Sequence, residues 1–279
     1  MVARPRVALV SFAGLPELYR DDRLALEPLT GLGVDVEPVV WDDRAEDWAS
    51  YDLVVVRSTW DYTLRREQFL DWAASVPRLL NPVDVLAWNT DKRYLAELAA
   101  TGVPVVPTIF VAPGEAYDVP AYEHVVKPTV SAGARDTRRF TAGEDSTVHA
   151  VALLAAGRTV MVQPYQSSVD EAGETAVLSF FGEHSHAARK APVLVPDLGD
   201  PNAVAITPRK GTPAELAVAQ AALAAVPWPE PLLYARVDLV PGPDGSPVLM
   251  ELELIEPCLF LAQDPGAPAR FAAAVCASL

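Results

Sequence analysis

The residues best equipped for chemistry lie near the end of the chain. Asp244-Gly245 is a tight-turn dipeptide between two apolar runs, Leu232 to Val240 and Val248 to Ile255, which is the pattern of a β-hairpin. If the turn is centred between those two residues, cross-strand partners have numbers that sum to 489. Asp238 then faces Glu251, and Arg236 faces Glu253. Positions two apart on a strand share a face, so all four fall together. Three carboxylates and a guanidinium are costly to bury unless they hold something, and clustered hard oxygen donors suit Mg²⁺. A solvent-exposed polar face with a cross-strand Arg–Glu pair accounts for the same residues, and the prolines beside the turn can move the register by one.

A metal held by carboxylates usually shares its coordination with substrate phosphates. Cations able to meet such phosphates are Lys92, Lys127, Arg189, Lys190, Arg209 and Arg236. Lys127 stands out because it ends a short strand, Val125-Val-Lys-Pro128, directly before Ser131-Ala-Gly-Ala-Arg-Asp-Thr137. That run of small and polar residues reads as a mobile loop. Its single Gly133 is a weaker phosphate signal than a Walker or dinucleotide fingerprint, and both of those are missing.

The elements that must position these groups can be read in outline. Arg6 to Ser11, Val34 to Val40 and Leu53 to Arg57 are continuous apolar runs, as expected of parallel strands buried on both faces. The third feeds Ser58-Thr-Trp-Asp-Tyr62, a polar and aromatic cluster at the carboxyl end of a strand, where open α/β sheets place ligands. Trp60 and Tyr62 could equally be cover for the core. Asn89 or Thr90 can cap a helix through Lys92, Leu95 and Leu98 that ends at Gly102. Thr159 to Gln163 is a strand followed by Pro-Tyr-Gln166, and Thr175 to Phe181 with His184 to Arg189 form a hairpin around Gly182. His184 and His186 sit two apart as sheet-face residues, and Cys258 reads as a small buried residue. Thr212-Pro-Ala-Glu215 is a capping box opening an Ala-rich helix.

Composition bounds the function classes. Apolar residues are 51% and charged residues 21%, with no apolar run as long as the ~18 residues of a membrane span. With 22 Lys and Arg against 37 Asp and Glu, the net charge of −15 repels nucleic acid and anionic membranes. Two cysteines and no secretory pattern at the start suit a reducing, cytoplasmic setting.

Taken in order, Val125-Val-Lys-Pro128, the Ser131 to Thr137 loop, Met161-Val-Gln-Pro-Tyr165, Arg236-Val-Asp238 and Leu249-Met-Glu-Leu-Glu253 resemble the signatures of the ATP-grasp superfamily over about residues 81–256. The resemblance implies an α/β chain in three parts: an amino-terminal parallel-sheet domain (1–88), an ATP-grasp part with a lid subdomain (89–166, lid about 107–163) and a carboxyl-terminal catalytic domain with a mixed or antiparallel sheet (167–279). It implies ATP and Mg²⁺ as cofactors. Lys92 and Lys127 would meet the nucleotide phosphates under the loop of Ser131, Gly133 and Thr137. Gln163 and Tyr165 would meet adenine, Asp170 the ribose, and Asp238, Glu251 and Glu253 the metals. The usual Glu-x-Asn ending is here Glu251-Leu-Glu253, and the loop is poor in glycine.

The chemistry implied is transfer of the ATP γ-phosphate to a carboxylate, giving an acyl phosphate that a nitrogen captures, with Arg236 steadying the acyl phosphate and Arg209 and Lys190 assisting. The start through Tyr62 and the ending Glu251 to Pro257 are similar to the cycloserine-forming branch, which closes O-ureido-serine to a ring. Arg57, Trp60 and Asp61 would then line the pocket for a small amino-acid-like partner, Asp61 facing its ammonium. An intermolecular carboxylate-amine ligase, an ATP-grasp kinase or phosphotransferase, and a nucleotide-binding regulator are the other readings, and the oligomeric state is left open.

Overall fold

The computed structural model of the chain describes residues 3–192, 194 and 204–279. The parallel strands expected at the start form: β1 (Arg6–Ser11) runs between β2 (Asp35–Val40) and β3 (Leu53–Ser58), and a two-residue β4 (Leu79–Leu80) completes the order β2-β1-β3-β4. Alternation along these strands separates two cores. Ala8, Val10, Val54 and Val56 pack on Phe69 and Trp72 of α2 (Arg66–Ser75), whereas Val7, Leu9 and Val55 face the last helix of the chain. A single turn of 3-10 helix and the short α1 (Leu26–Gly31) join β1 to β2.

Two short helices follow, α3 (Val83–Asn89) and α4 (Tyr94–Ala100), where one helix was expected. Asn89 is the last residue of α3 rather than a cap, because its carboxamide is committed elsewhere. The Lys92 backbone N–H leaves the helical pattern to donate to Thr129 O (2.9 Å). Gly102 closes α4 at φ +94°, as the sequence required.

A small antiparallel sheet comes next, in the order β5-β8-β6-β7. Its strands are β5 (Ile109–Val111), β6 (His124–Pro128), β7 (Arg138–Phe140) and β8 (Val160–Pro164), covered by α5 (Thr147–Ala155). After α6 (Ser168–Ala172), the carboxyl-terminal sheet is also antiparallel and runs β11-β10-β9-β12-β13. It comprises β9 (Glu174–Phe180), β10 (Glu183–Lys190), β11 (Ile206–Arg209), β12 (Tyr234–Pro241) and β13 (Pro247–Glu253). α7 (Pro213–Ala224) opens with the expected capping box and covers one face through Ala219 and Ala222. The other face, through Ala176, Leu178 and Ala188, shares a core with β1, β3 and α8 (Ala267–Ala277), whose Phe271 reaches both sheets. That core joins the first sheet to the last.

His184 and His186 do not share a face. A bulge between them turns His186 inward, its Nε2 3.0 Å from Leu259 O, and leaves His184 exposed.

Candidate active site

The β12–β13 hairpin has the computed pairing where it matters: Arg236 opposes Glu253 and Asp238 opposes Glu251. The route to it differs from expectation. The turn is a five-residue loop from Gly242 to Ser246, so near the turn the partners fall one short of the expected sum, Leu239 opposing Leu249 and Pro241 opposing Pro247. A bulge at Met250 restores the register. It also sends Met250 to the polar face, where a strict alternation would have put it in the core.

Side chains from the rest of the molecule clamp the end of β13. Asn89 Nδ2 donates to Leu252 O (2.9 Å) and its Oδ1 accepts from Leu254 N (2.8 Å). The Tyr94 hydroxyl donates to Leu252 O (2.8 Å) and accepts from Leu252 N (2.9 Å). Asn81 bonds Leu254 O, Tyr234 O and Leu233 N in the same manner. These contacts leave buried backbone groups with partners and hold Glu251 and Glu253 at fixed angles.

Both carboxylates open on a cavity of ≈ 1110 Å³ lined from the first sheet, the small sheet and the last sheet. Of the expected nucleotide residues, Lys92, Lys127, Ser131, Gly133, Thr137, Gln163 and Tyr165 line it. Lys92 Nζ donates to Ser131 O (2.7 Å) and lies 3.2 Å from Glu251, so the loop and the hairpin meet at one ammonium. The loop itself turns through three positive-φ residues, Gly133, Ala134 and Asp136, and is tied down by Arg158 through Asp136 (2.6 Å) and Val130 O (3.1 Å). Gln163 Nε2 donates to Thr108 Oγ1 (2.9 Å). Asp170 is not among the lining residues: it accepts from the Tyr165 hydroxyl and sits 3.4 Å from Arg139, whose guanidinium stacks 3.5 Å over the Tyr165 ring.

Arg236, Lys190 and Asp238 form one buried network. Arg236 grips Asp238 through two bonds of 2.9 Å, contacts Glu253 and donates to Cys258 O (3.1 Å). Lys190 Nζ donates to Asp238 (2.6 Å) and to Glu174 (2.8 Å). Burial acts to raise the Asp238 carboxyl, yet Arg236 and Lys190 prevail and hold it below its ordinary value. The same contest leaves Glu251 lowered, by Lys92 and then Lys127. Burial raises Glu253 to about 7 against the pull of Arg236, and lowers Lys127, with Lys92 adding to that shift and Glu251 opposing it.

A hard cation fits the chemistry of these donors, and Glu251 and Glu253 face the cavity. Asp238 is fully buried beneath them with both oxygens held by cations, so it is not open to a metal in this arrangement. Among the described residues no three His, Cys, Asp or Glu side chains converge as a ready-made metal cluster.

Two further expected residues lie away from the cavity. Arg57 does not line the cavity. Its side chain is fully buried, 3.0 Å from Asp22, 4.7 Å over the Tyr234 ring and donating to Pro257 O. Arg209 turns to Thr175 (2.7 Å) and Glu215 (3.1 Å), away from the cavity. Asp61 lines the cavity beside Trp60 but has partners of its own, accepting from Trp41 Nε1 (3.0 Å) and from Arg65. Trp60 packs on Tyr19, ring centroids 5.0 Å apart.

Sequence reasoning missed Glu174, Met250, Tyr19 and Glu256. Glu174 opposes Lys190 across the β9–β10 hairpin and could have been found by the same pairing arithmetic once its bulge is allowed for. Glu256 lies three residues beyond the end of β13, where strand periodicity gives no direction.

Comparison with known proteins finds relatives that span nearly the whole chain. The profile of the D-cycloserine synthetase DcsG amino-terminal domain matches residues 7–81. The cycloserine biosynthesis protein DcsG of Streptomyces lavendulae is 40% identical over 291 aligned positions, spanning 96% of this chain and 97% of that protein. The crystal structure of D-cycloserine synthetase DcsG superposes with a TM-score of 0.88 at 38% identity, covering 97% of this chain and 98% of the other. D-alanine–D-alanine ligase from Bacillus anthracis, complexed with ATP, shares the fold at a TM-score of 0.69 and 13% identity, covering 98% and 97%. The chain belongs to the D-cycloserine synthetase family and has the ATP-grasp fold.

Proposed function

We propose that the enzyme uses ATP to activate the carboxylate of a small amino acid and closes the acyl phosphate onto a nitrogen of the same molecule, O-ureido-serine giving the cycloserine ring. One observation carries the reading. In a chain of net charge −15, Lys92, Lys127, Lys190 and Arg236 line one cavity together with Glu251 and Glu253. Such an alternation suits polyphosphate, and the relatives' shared chemistry supplies the acceptor.

In this reading Lys127 and Lys92 neutralise the nucleotide phosphates and the Ser131 to Thr137 loop covers them. Gln163 and Tyr165 border the adenine, and Asp170, bonded to the Tyr165 hydroxyl, is the candidate for the ribose. Glu251 and Glu253 would hold Mg²⁺, with Asp238 as a third carboxylate where Lys190 is drawn off to phosphate; the ion supplies charge neutralisation at the transferring phosphoryl oxygens. A substrate carboxylate oxygen attacks the γ-phosphorus and ADP leaves. Arg236 steadies the acyl phosphate, its guanidinium oriented by Asp238. The internal nitrogen then attacks the acyl carbon and orthophosphate departs. Holding both groups in one molecule needs no second acceptor site, since effective molarities of well-oriented internal nucleophiles reach about 10⁵ M or more.

A screen of amino acids and O-substituted serines for substrate-dependent ADP and phosphate release tests it. O-Ureido-serine is expected to stimulate release most strongly. Release of a stable phosphorylated product without orthophosphate would favour a kinase instead.

A further inference from the structure

Among the described residues six carboxylates line the cavity: Asp21, Asp61, Glu174, Glu251, Glu253 and Glu256. Five are already engaged. Asp21 accepts from Leu261 N (2.9 Å) and Ala262 N (3.0 Å), Asp61 from Trp41 and Arg65, and Glu174 from Lys190. Glu251 faces Lys92, and Glu253 faces Arg236. Among the described residues Glu256 alone of the six has no ion pair and no side-chain hydrogen bond, although only 9% of it is exposed.

The Glu256 oxygens open on the cavity rather than being sealed in the core, and among the described residues they meet no cation there; a carboxylate with so little access to water and no partner is unfavourable, and a free segment would swing it outward. This one cannot move. The Tyr234 hydroxyl donates to Ile255 O (2.8 Å), Arg57 to Pro257 O and Arg236 to Cys258 O (3.1 Å), which pins the backbone on both sides of Glu256. Arg57, expected at the substrate, instead holds this segment in place from the core.

Position then decides what the carboxylate can meet. In an α-amino acid the ammonium is one carbon from the carboxylate, so its partner must lie at the end of the cavity where Arg236 and Glu253 handle the acyl group. Asp61 is already occupied, and it belongs to the first domain. Glu256 follows Glu253 by three residues and opens on the same space as Trp60 and Tyr62.

We propose that Glu256 supplies the counter-charge for the α-ammonium of the amino-acid substrate, and so selects an α-amino acid over a plain carboxylic acid. The inference rests on the reading of the substrate given above. Burial, reinforced by Glu253, raises the Glu256 carboxyl to about 8 in the unliganded protein, and an ammonium alongside would draw it back toward the ionised form.

Steady-state kinetics with ATP and O-ureido-serine test this on the wild type, Glu256→Gln and Glu256→Asp, with the des-amino analogue 3-(ureidooxy)propanoate as a competing probe. Glu256→Gln should raise KM for the amino acid about 30-fold or more, as expected for a buried charge pair losing one partner, while KM for ATP stays within about twofold. Glu256→Asp keeps the charge and should lose less than Gln. The des-amino analogue should bind the wild type and Glu256→Gln equally. An unchanged KM in Glu256→Gln, a fall in kcat with KM retained, or equal losses in the Asp and Gln variants would overturn the assignment. If the wild type releases no ADP with any α-amino acid, the functional reading itself fails and this inference falls with it.

Discussion

At the scale of single residues, the site is a contest between burial and pairing, and most of its groups are resolved by a neighbour. Lys127 is not so resolved. Burial and Lys92 push it down against Glu251, among the described residues no carboxylate lies in ion-pair contact with it, and it faces the cavity. Lys127→Ala should therefore weaken ATP binding and turnover together, by about tenfold or more each, because a phosphate-facing cation acts in ground and transition states alike. Calorimetry with a non-hydrolysable ATP analogue beside kcat/KM would check it. Unchanged affinity and turnover would make Lys127 a bystander. Glu256 gives a pH signature. Its carboxyl rises from 4.5 to about 8, so the native state keeps a proton that the unfolded chain gives up near pH 4.5. The associated stability is full below about pH 4.5 and is lost as pH rises through about 8. Urea unfolding of wild type and Glu256→Gln should agree near pH 4.5 and diverge with rising pH, the variant becoming the more stable by at least about 1 kcal/mol at pH 8. Parallel curves would show that Glu256 is not held up by burial.

At the scale of elements, the hairpin that carries the carboxylates was legible in the sequence because two departures cancel. The turn is longer than Asp244-Gly245 requires, and the bulge at Met250, three paired residues into the strand, compensates, so the pairs that matter hold. Periodicity shows where a strand lies and which residues share its face. It says nothing of which element will donate to its backbone, and so Asn89 reads as a cap when it is a clamp on Leu252 and Leu254. Asn89→Ala strands the buried Leu254 N–H, while Leu252 O keeps the Tyr94 hydroxyl, at about 1–3 kcal/mol for the unsatisfied group. It should lower stability by roughly that amount and reduce kcat by loosening Glu251 and Glu253. Chemical denaturation and turnover measured on the same preparation would check it, and a stable variant with wild-type kcat would show that the clamp is not needed to set the site. Arg57 was misread for a related reason. The carboxyl end of a strand can deliver its side chain to a ligand or to the core, and the choice was made by Asp22 and Pro257, which are remote in sequence.

At the scale of the whole molecule, the first and last domains share one core through α8, and the cavity opens where all three sheets meet. Arg57 is a pivot of this assembly, joining β3, Asp22 and the segment after Glu256. Removing its charge should leave Asp22 buried and unpaired, a loss of about 3–5 kcal/mol. Arg57→Met is expected to unfold at markedly lower urea concentration, and adding Asp22→Asn should recover part of the loss. Additive losses in the double variant would mean that the pair is not coupled. The central claim is that this architecture closes a ring within one substrate molecule, and mass spectrometry of the reaction with ATP, Mg²⁺ and O-ureido-serine as the only amine tests it most directly. The account predicts ADP, orthophosphate and a product equal in mass to the substrate less one water, or to cycloserine once the carbamoyl group is lost. ADP formed only after a second amine is supplied, with a product equal to both substrates less water, would contradict it.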